Sequence, residues 1–161
     1  MNALELPNSP APAASPSPSL YVAEPPAIYL MRPPLVVDCS VLSAAIFEEE
    51  TRDQALRLMT GKTLHAPCLL DHEIISVALK KGRLGWPQAV ITLALSDYAE
   101  QDIELHRTAT EAQHQLALRY KLSAYDAAYL WLAAELKAPL ATFDEKLGRA
   151  AQTHLASLPD T

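Results

Sequence analysis

The sequence predicts an α/β fold: a central parallel sheet of about four short strands, covered by helices on both faces in three layers. Short β-branched or apolar runs near residues 35–37, 62–66, 102–106 and 139–143 alternate with helical patterns. Strands separated by helices pair in parallel, and such a sheet is buried on both sides. At 50% hydrophobic and 20% charged residues the chain has a globular balance.

The elements follow in order. Nine of the 13 prolines fall within residues 1–34, a Pro/Ala/Ser-rich stretch of the 161-residue chain. Proline removes donors and fixes φ, so this segment reads as a disordered or polyproline-like tail, with Met31 as an alternative start. The folded domain is expected over residues 35–161. Leu35, Val36 and Val37 form a buried strand ending in Asp38, and Ser40 is positioned to cap a helix reaching Glu50. Residues 52–60 continue helically to Gly61, and residues 62–66 form the second strand. Helices follow over 69–81 and 87–100, broken by Gly82, Gly85 and Pro87. Residues 102–106 are a weak third strand, 108–120 a helix and 123–137 a strongly apolar helix. A fourth strand over 139–143 leads to Asp144 and a last helix to about residue 154.

Composition excludes several functions. The 4 glycines form no phosphate-cradling loop motif, and no apolar run approaches the roughly 18 residues of a membrane span. The N-terminus has no basic start followed by an apolar run, so a cytoplasmic protein is expected. The net charge of −6 argues against a wholly cationic nucleic-acid sleeve, but acids gathered to hold cations would give the same sign. Cys39 and Cys68 fit neither a redox pair nor a zinc ribbon and read as two buried thiols. His72-Glu73-Ile74-Ile75-Ser76 nearly spells a zinc-hydrolase motif, but Ser76 stands where the second histidine belongs. His65, His106, His114 and His154 have no partner that the sequence nominates.

The acids are more informative. In open parallel sheets ligands bind beyond the carboxyl ends of the strands, where Asp38 and Asp144 are expected. Each could simply favour the helix that follows it. Thr142 to Glu145 has capping-box spacing, and so does Ser123 to Asp126. Glu73 has Leu69, Leu70 and Val77 one turn away, and Asp126 has Tyr129 and Leu130, so both carboxylates project from apolar stripes. Two like charges about 4 Å apart cost on the order of 4 kcal/mol at an effective dielectric of 20. A hard divalent cation would relieve that repulsion, and oxygen-only ligation points to Mg²⁺ or Mn²⁺ rather than zinc.

Four stretches now carry a resemblance. Leu35-Val36-Val37-Asp38-Cys39-Ser40-Val41-Leu42, Pro67 followed by a helical Glu73, Leu122 to Leu130 around Asp126, and Leu140-Ala141-Thr142-Phe143-Asp144-Glu145-Lys146-Leu147 together resemble the PIN-domain nucleases. Within that family the chain is most similar to the VapC-type toxins of bacterial toxin–antitoxin pairs, from about residue 35 to 150. The resemblance implies that Asp38, Glu73, Asp126 and Asp144 hold one or two Mg²⁺ or Mn²⁺ ions, with Ser40 and Thr142 in support. Ser76 departs from the family, where asparagine is common.

The implied activity is endoribonuclease cleavage of single-stranded or looped RNA, leaving a 5′-phosphate and a 3′-hydroxyl. Lys80, Lys81 and Arg83 form the one basic cluster; they read as a solvated helix end or as a phosphate contact. The implied partners are an RNA substrate, a cognate antitoxin lying over the helices at 40–60 and 69–81, and a second copy of the chain in a homodimer. Two other readings stay open: an RNA-processing PIN nuclease without an antitoxin, and an inactive PIN module that binds RNA or protein.

Overall fold

The computed structural model describes residues 32–159. Most of the tail expected over residues 1–34 lies outside them, but Arg32, Pro33 and Pro34 are tied to the sheet. Thr63 donates its N–H to the Pro33 carbonyl and its hydroxyl to the Arg32 carbonyl. Pro34 opens the first strand, a position where proline's missing donor is tolerated.

The chain order is β1 (Pro34–Val37), α1 (Cys39–Ile46), α2 (Arg52–Met59), β2 (Thr63–Pro67), α3 (Leu70–Arg83), α4 (Gln88–Ala99), β3 (Ile103–His106), α5 (Thr110–Tyr120), α6 (Ala124–Leu136), β4 (Leu140–Ala141) and α7 (Glu145–Ala156). The strands form one parallel sheet in the order β3-β2-β1-β4. The first two crossovers move the chain from β1 to β2 to β3, and right-handed connections keep α1 to α4 on one face. From β3 the chain returns past β1 to β4, which puts α5 and α6 on the other face, with α7 packed against α6. The winding direction therefore reverses between β1 and β4, and a crevice opens at their carboxyl ends.

The core lies on both sides of β1. Val36, Val37, Val41 and Leu42 are fully buried, each favouring the fold by about 1.5–3 kcal/mol relative to exposure. Against the other face lies α6, whose Ala127, Ala128, Tyr129 and Leu130 are fully buried. A helix apolar nearly all round belongs inside a fold. No helix among the described residues is long and apolar enough to cross a membrane.

Several local expectations need correction. The fourth strand is only Leu140–Ala141, because Thr142 and Phe143 leave the ladder to bond with Asp38 and Ser40. Asp38, not Ser40, caps α1, and Asp144 caps α7 in place of the Thr142–Glu145 box. Ser123 does cap α6, accepting from the Asp126 N–H. Of the two thiols, Cys39 is buried as expected, but Cys68 is exposed in the turn beyond β2.

Candidate active site

Asp38 follows β1 in extended conformation, its N–H bonded to the Ala141 carbonyl of β4 at 3.0 Å. One oxygen, Oδ2, accepts from the Ser40 hydroxyl at 2.6 Å and the Thr142 hydroxyl at 2.8 Å. Each hydroxyl has one proton, so both protons go to Asp38 and both hydroxyl oxygens must accept from elsewhere. Ser40 Oγ accepts from the Phe143 N–H and Thr142 Oγ1 from the Asp144 N–H, both at 2.9 Å. The two expected supporting residues thus lock the end of β1 to the segment that follows β4.

Glu73 lies in the first turn of α3, half-buried. Its Oε2 accepts from the hydroxyl of Tyr129, whose ring is fully buried in α6. Burial pushes the Glu73 carboxyl above the usual range, the Tyr129 bond works against that rise, and the negative charges of Asp38 and Asp126 add to it. Asp126 is half-buried at the start of α6, and its Oδ2 accepts from the Ser123 hydroxyl at 2.7 Å. Asp144 is exposed, and its Oδ1 accepts from the Leu147 N–H at 2.7 Å.

A shared pattern emerges. Each of the four carboxylates commits one oxygen to the protein, and among the described residues the other oxygen takes no hydrogen bond from it. No lysine, arginine or histidine among the described residues comes within 4.0 Å of any of them. The carboxylates are nonetheless spread: no three of them bring oxygens within 4.8 Å of one another, a closeness reached among the described residues only by His65, Glu104 and His106. Such spacing suits Mg²⁺, which keeps several waters and uses one or two carboxylates together with substrate phosphate. The donor set therefore fits a hard divalent cation.

Beside Glu73 lies a 490 Å³ cavity lined by Cys39, Leu69, His72, Glu73, Ser76, Val77 and Tyr125. The Cys39 thiol there is pushed up to about 12, by burial first and then by Glu73, Asp38 and Glu49. It stays protonated and offers no nucleophile. Ser76, at the departure from the family pattern, turns its hydroxyl back to the His72 carbonyl of its own helix.

Sequence reasoning missed several contacts. Tyr129 was placed only as an apolar neighbour of Asp126, although a buried tyrosine hydroxyl needs a partner and Glu73 supplies it. Lys81 is no free phosphate contact, since its Nζ pairs with Glu49 at 2.9 Å and lies over the rings of Trp86 and Phe47. His65 and His106 meet each other at 3.0 Å, and His154 meets the Tyr120 hydroxyl.

Comparison with known proteins places this geometry. The sequence matches the PIN domain family over residues 35–152. VapC ribonuclease Mb0985 of Mycobacterium bovis is 31% identical over 121 residues, covering 73% of this chain and 91% of its own. Ribonuclease VapC9 of Mycobacterium tuberculosis matches to the same extent. In fold, the chain is similar to PAE2754 from Pyrobaculum aerophilum, with a TM-score of 0.56 at 20% identity over 78% of this chain and 88% of that one.

Proposed function

This chain belongs to the PIN-domain family, among its VapC-type ribonucleases, and from that premise we propose that it is a metal-dependent endoribonuclease acting in the cytoplasm as the toxin of a toxin–antitoxin pair. Asp38, Glu73, Asp126 and Asp144 hold one or two Mg²⁺ or Mn²⁺ ions, and Ser40 and Thr142 keep Asp38 in place. The observation that carries this reading is the set of four carboxylates, each with an oxygen left unbonded and no cationic side chain beside it among the described residues. Bound metal supplies an activated water and charge neutralisation at the phosphate. The protein's part is to hold the acids at the β1/β4 crevice and to present RNA to them.

Two exposed aromatic residues support RNA as the substrate. Tyr125 immediately precedes Asp126 and is 62% exposed, while Phe143 immediately precedes Asp144. Unpaired bases stack on such rings, so the flanks of the site favour single-stranded or looped RNA. The antitoxin is expected over the exposed Leu56 and Leu58 of α2 and Ile75 and Leu79 of α3, with an arginine reaching the carboxylates as a bidentate partner. A homodimer is proposed as the toxin's resting assembly. The nuclease domain is proposed to comprise residues 35–161, preceded by the Pro-rich tail.

The test is cleavage of a single-stranded RNA by purified protein, with and without EDTA, alongside expression in cells with and without the adjacent small gene. Cleavage should require Mg²⁺ or Mn²⁺, and growth arrest should occur only without the neighbour's product. Cleavage unaffected by EDTA would sink the metal assignment. Normal growth despite metal-dependent cleavage in vitro would move the chain to RNA processing.

A further inference from the structure

Away from the carboxylate crevice, the parallel register of β2 and β3 sets His65 beside Glu104. Side chains return to the same face every second residue, so His106 joins them. Ile103 and Leu105 occupy the opposite face, where they line a cavity with Asp71 and Tyr98. His65 Nδ1 lies 3.0 Å from His106 Nε2 and 3.4 Å from Glu104 Oε2, and one ligand atom from each residue falls within 4.8 Å of the other two.

We propose that His65, Glu104 and His106 form a second metal site that takes a transition-metal dication of the zinc class, independent of the carboxylate site and of its assigned chemistry. Two imidazoles and one carboxylate are the donors that zinc favours, whereas a magnesium site is built from oxygens. The distances agree with this. Two ligands each about 2.05 Å from a tetrahedral zinc ion lie about 3.3 Å apart, and the observed 3.0 and 3.4 Å bracket that edge. Binding would turn both ring nitrogens from each other toward the ion, and the proton now between them would move to the far nitrogen of its own ring, so that each imidazole coordinates as a neutral ligand.

The surroundings leave a path for the ion. His65 is buried, but the Glu104 side chain is 60% exposed. His106 also borders a 320 Å³ cavity with Pro67, Cys68, Arg107 and Thr108. Three protein ligands leave the fourth position to water. The bound ion would join β2 to the edge strand β3 across 41 residues of chain, adding a metal crosslink to the ladder bonds and the packed Ile103 that hold that edge.

The experiment uses the full chain, stripped with chelator, loaded with Zn²⁺ and desalted before the metal is counted. The wild type should retain one Zn²⁺ per chain with a raised melting temperature, and Co²⁺ in its place should give the visible spectrum of tetrahedral nitrogen and oxygen ligation. His106→Gln and Glu104→Gln should lose the retained ion while keeping the circular dichroism of the wild type; Asp38→Asn should retain it. Replacement of buried His65 is avoided because it risks the fold. No retained zinc in the wild type would overturn the proposal and leave the pair as a hydrogen bond. Zinc lost from Asp38→Asn but kept by His106→Gln would equally overturn it, by assigning the ion to the carboxylates.

Discussion

At the C-terminal end of α3, Lys81 is drawn inward against Phe47 and Trp86 and meets the Glu49 carboxylate at 2.9 Å. At the N-terminal end, half-buried Glu73 receives, among the described residues, only the neutral hydroxyl of Tyr129 and faces the charges of Asp38 and Asp126. One helix therefore carries two inward charges with opposite provision. Lys81 has its counter-charge within the chain and acts as a structural clasp. Glu73 has like charges around it, a costly arrangement that persists where an external cation is to supply the balance. A buried charge becomes informative about function when its missing partner can be named.

The widest separation between the two ends should come from Glu73→Gln. Substituting even a residue that orients a metal ligand costs about 10–100-fold, so loss of Glu73 as the proposed ligand should lower RNA cleavage by more than about 100-fold. The same substitution should raise the melting temperature of metal-depleted protein. Because the folded-state pKa is raised, the folded chain binds the Glu73 proton more readily than the unfolded chain. Stability from this group is therefore lost as pH rises from the usual 4.5 through the raised value. Glu73→Gln should flatten that part of the stability profile; an unchanged profile would contradict the repulsion assigned here.

Lys81→Ala should behave in the opposite way. It should cost about 1–2 kcal/mol in chemical denaturation, through the ion pair and the two ring contacts, while the cleavage rate per folded molecule stays at the wild-type value. A rate that fell with stability unchanged would restore Lys81 as an RNA contact. Tyr129→Phe is a smaller change: it removes the one bond that lowers the Glu73 pKa, so the acid limb of the cleavage pH profile should move to higher pH. An unmoved limb would mean that the bond does not tune the site.

The smallest effect is expected far from α3. Burial first, and then the charge of Arg119, hold the His154 imidazole below its usual 6.5. The unfolded chain then binds this proton more readily, and stability is lost as pH falls from about 6.5 into the lowered range. His154→Gln should remove that slope and leave cleavage untouched.

How much of this was legible depended on the range of the contacts. The strand and helix order, the parallel sheet and the burial of the 123–137 helix followed from periodicity, because those signals lie within short windows of sequence. The oddity of Glu73 was visible as an acid on an apolar stripe. The Tyr129 bond was not, since the two residues are 56 apart and meet only when α3 and α6, on opposite faces of the sheet, both reach the carboxyl ends of its strands. The His65–His106 pair was hidden for the same reason: a β2/β3 register sets it, and register has no local signature when both strands are short. Ser40 was misread as a cap because Asp38, two residues earlier, does that work with the same carboxylate that its hydroxyl holds.

The two-residue strand β4 has a consequence in time. Asp38 is made early, but the Thr142 hydroxyl that holds its carboxylate lies 104 residues later in the chain. Contacts of such long sequence separation form late in folding, and during synthesis the N-terminal parts of a chain emerge first. A nascent chain that has already laid down β1, α3 and α6 still lacks the segment that fixes its first acid. The hydrolase would thus gain its assembled site only once the segment after β4 has been made and has folded back onto β1, so a shorter nascent copy would lack a complete site with which to cut RNA beside the ribosome that is making it.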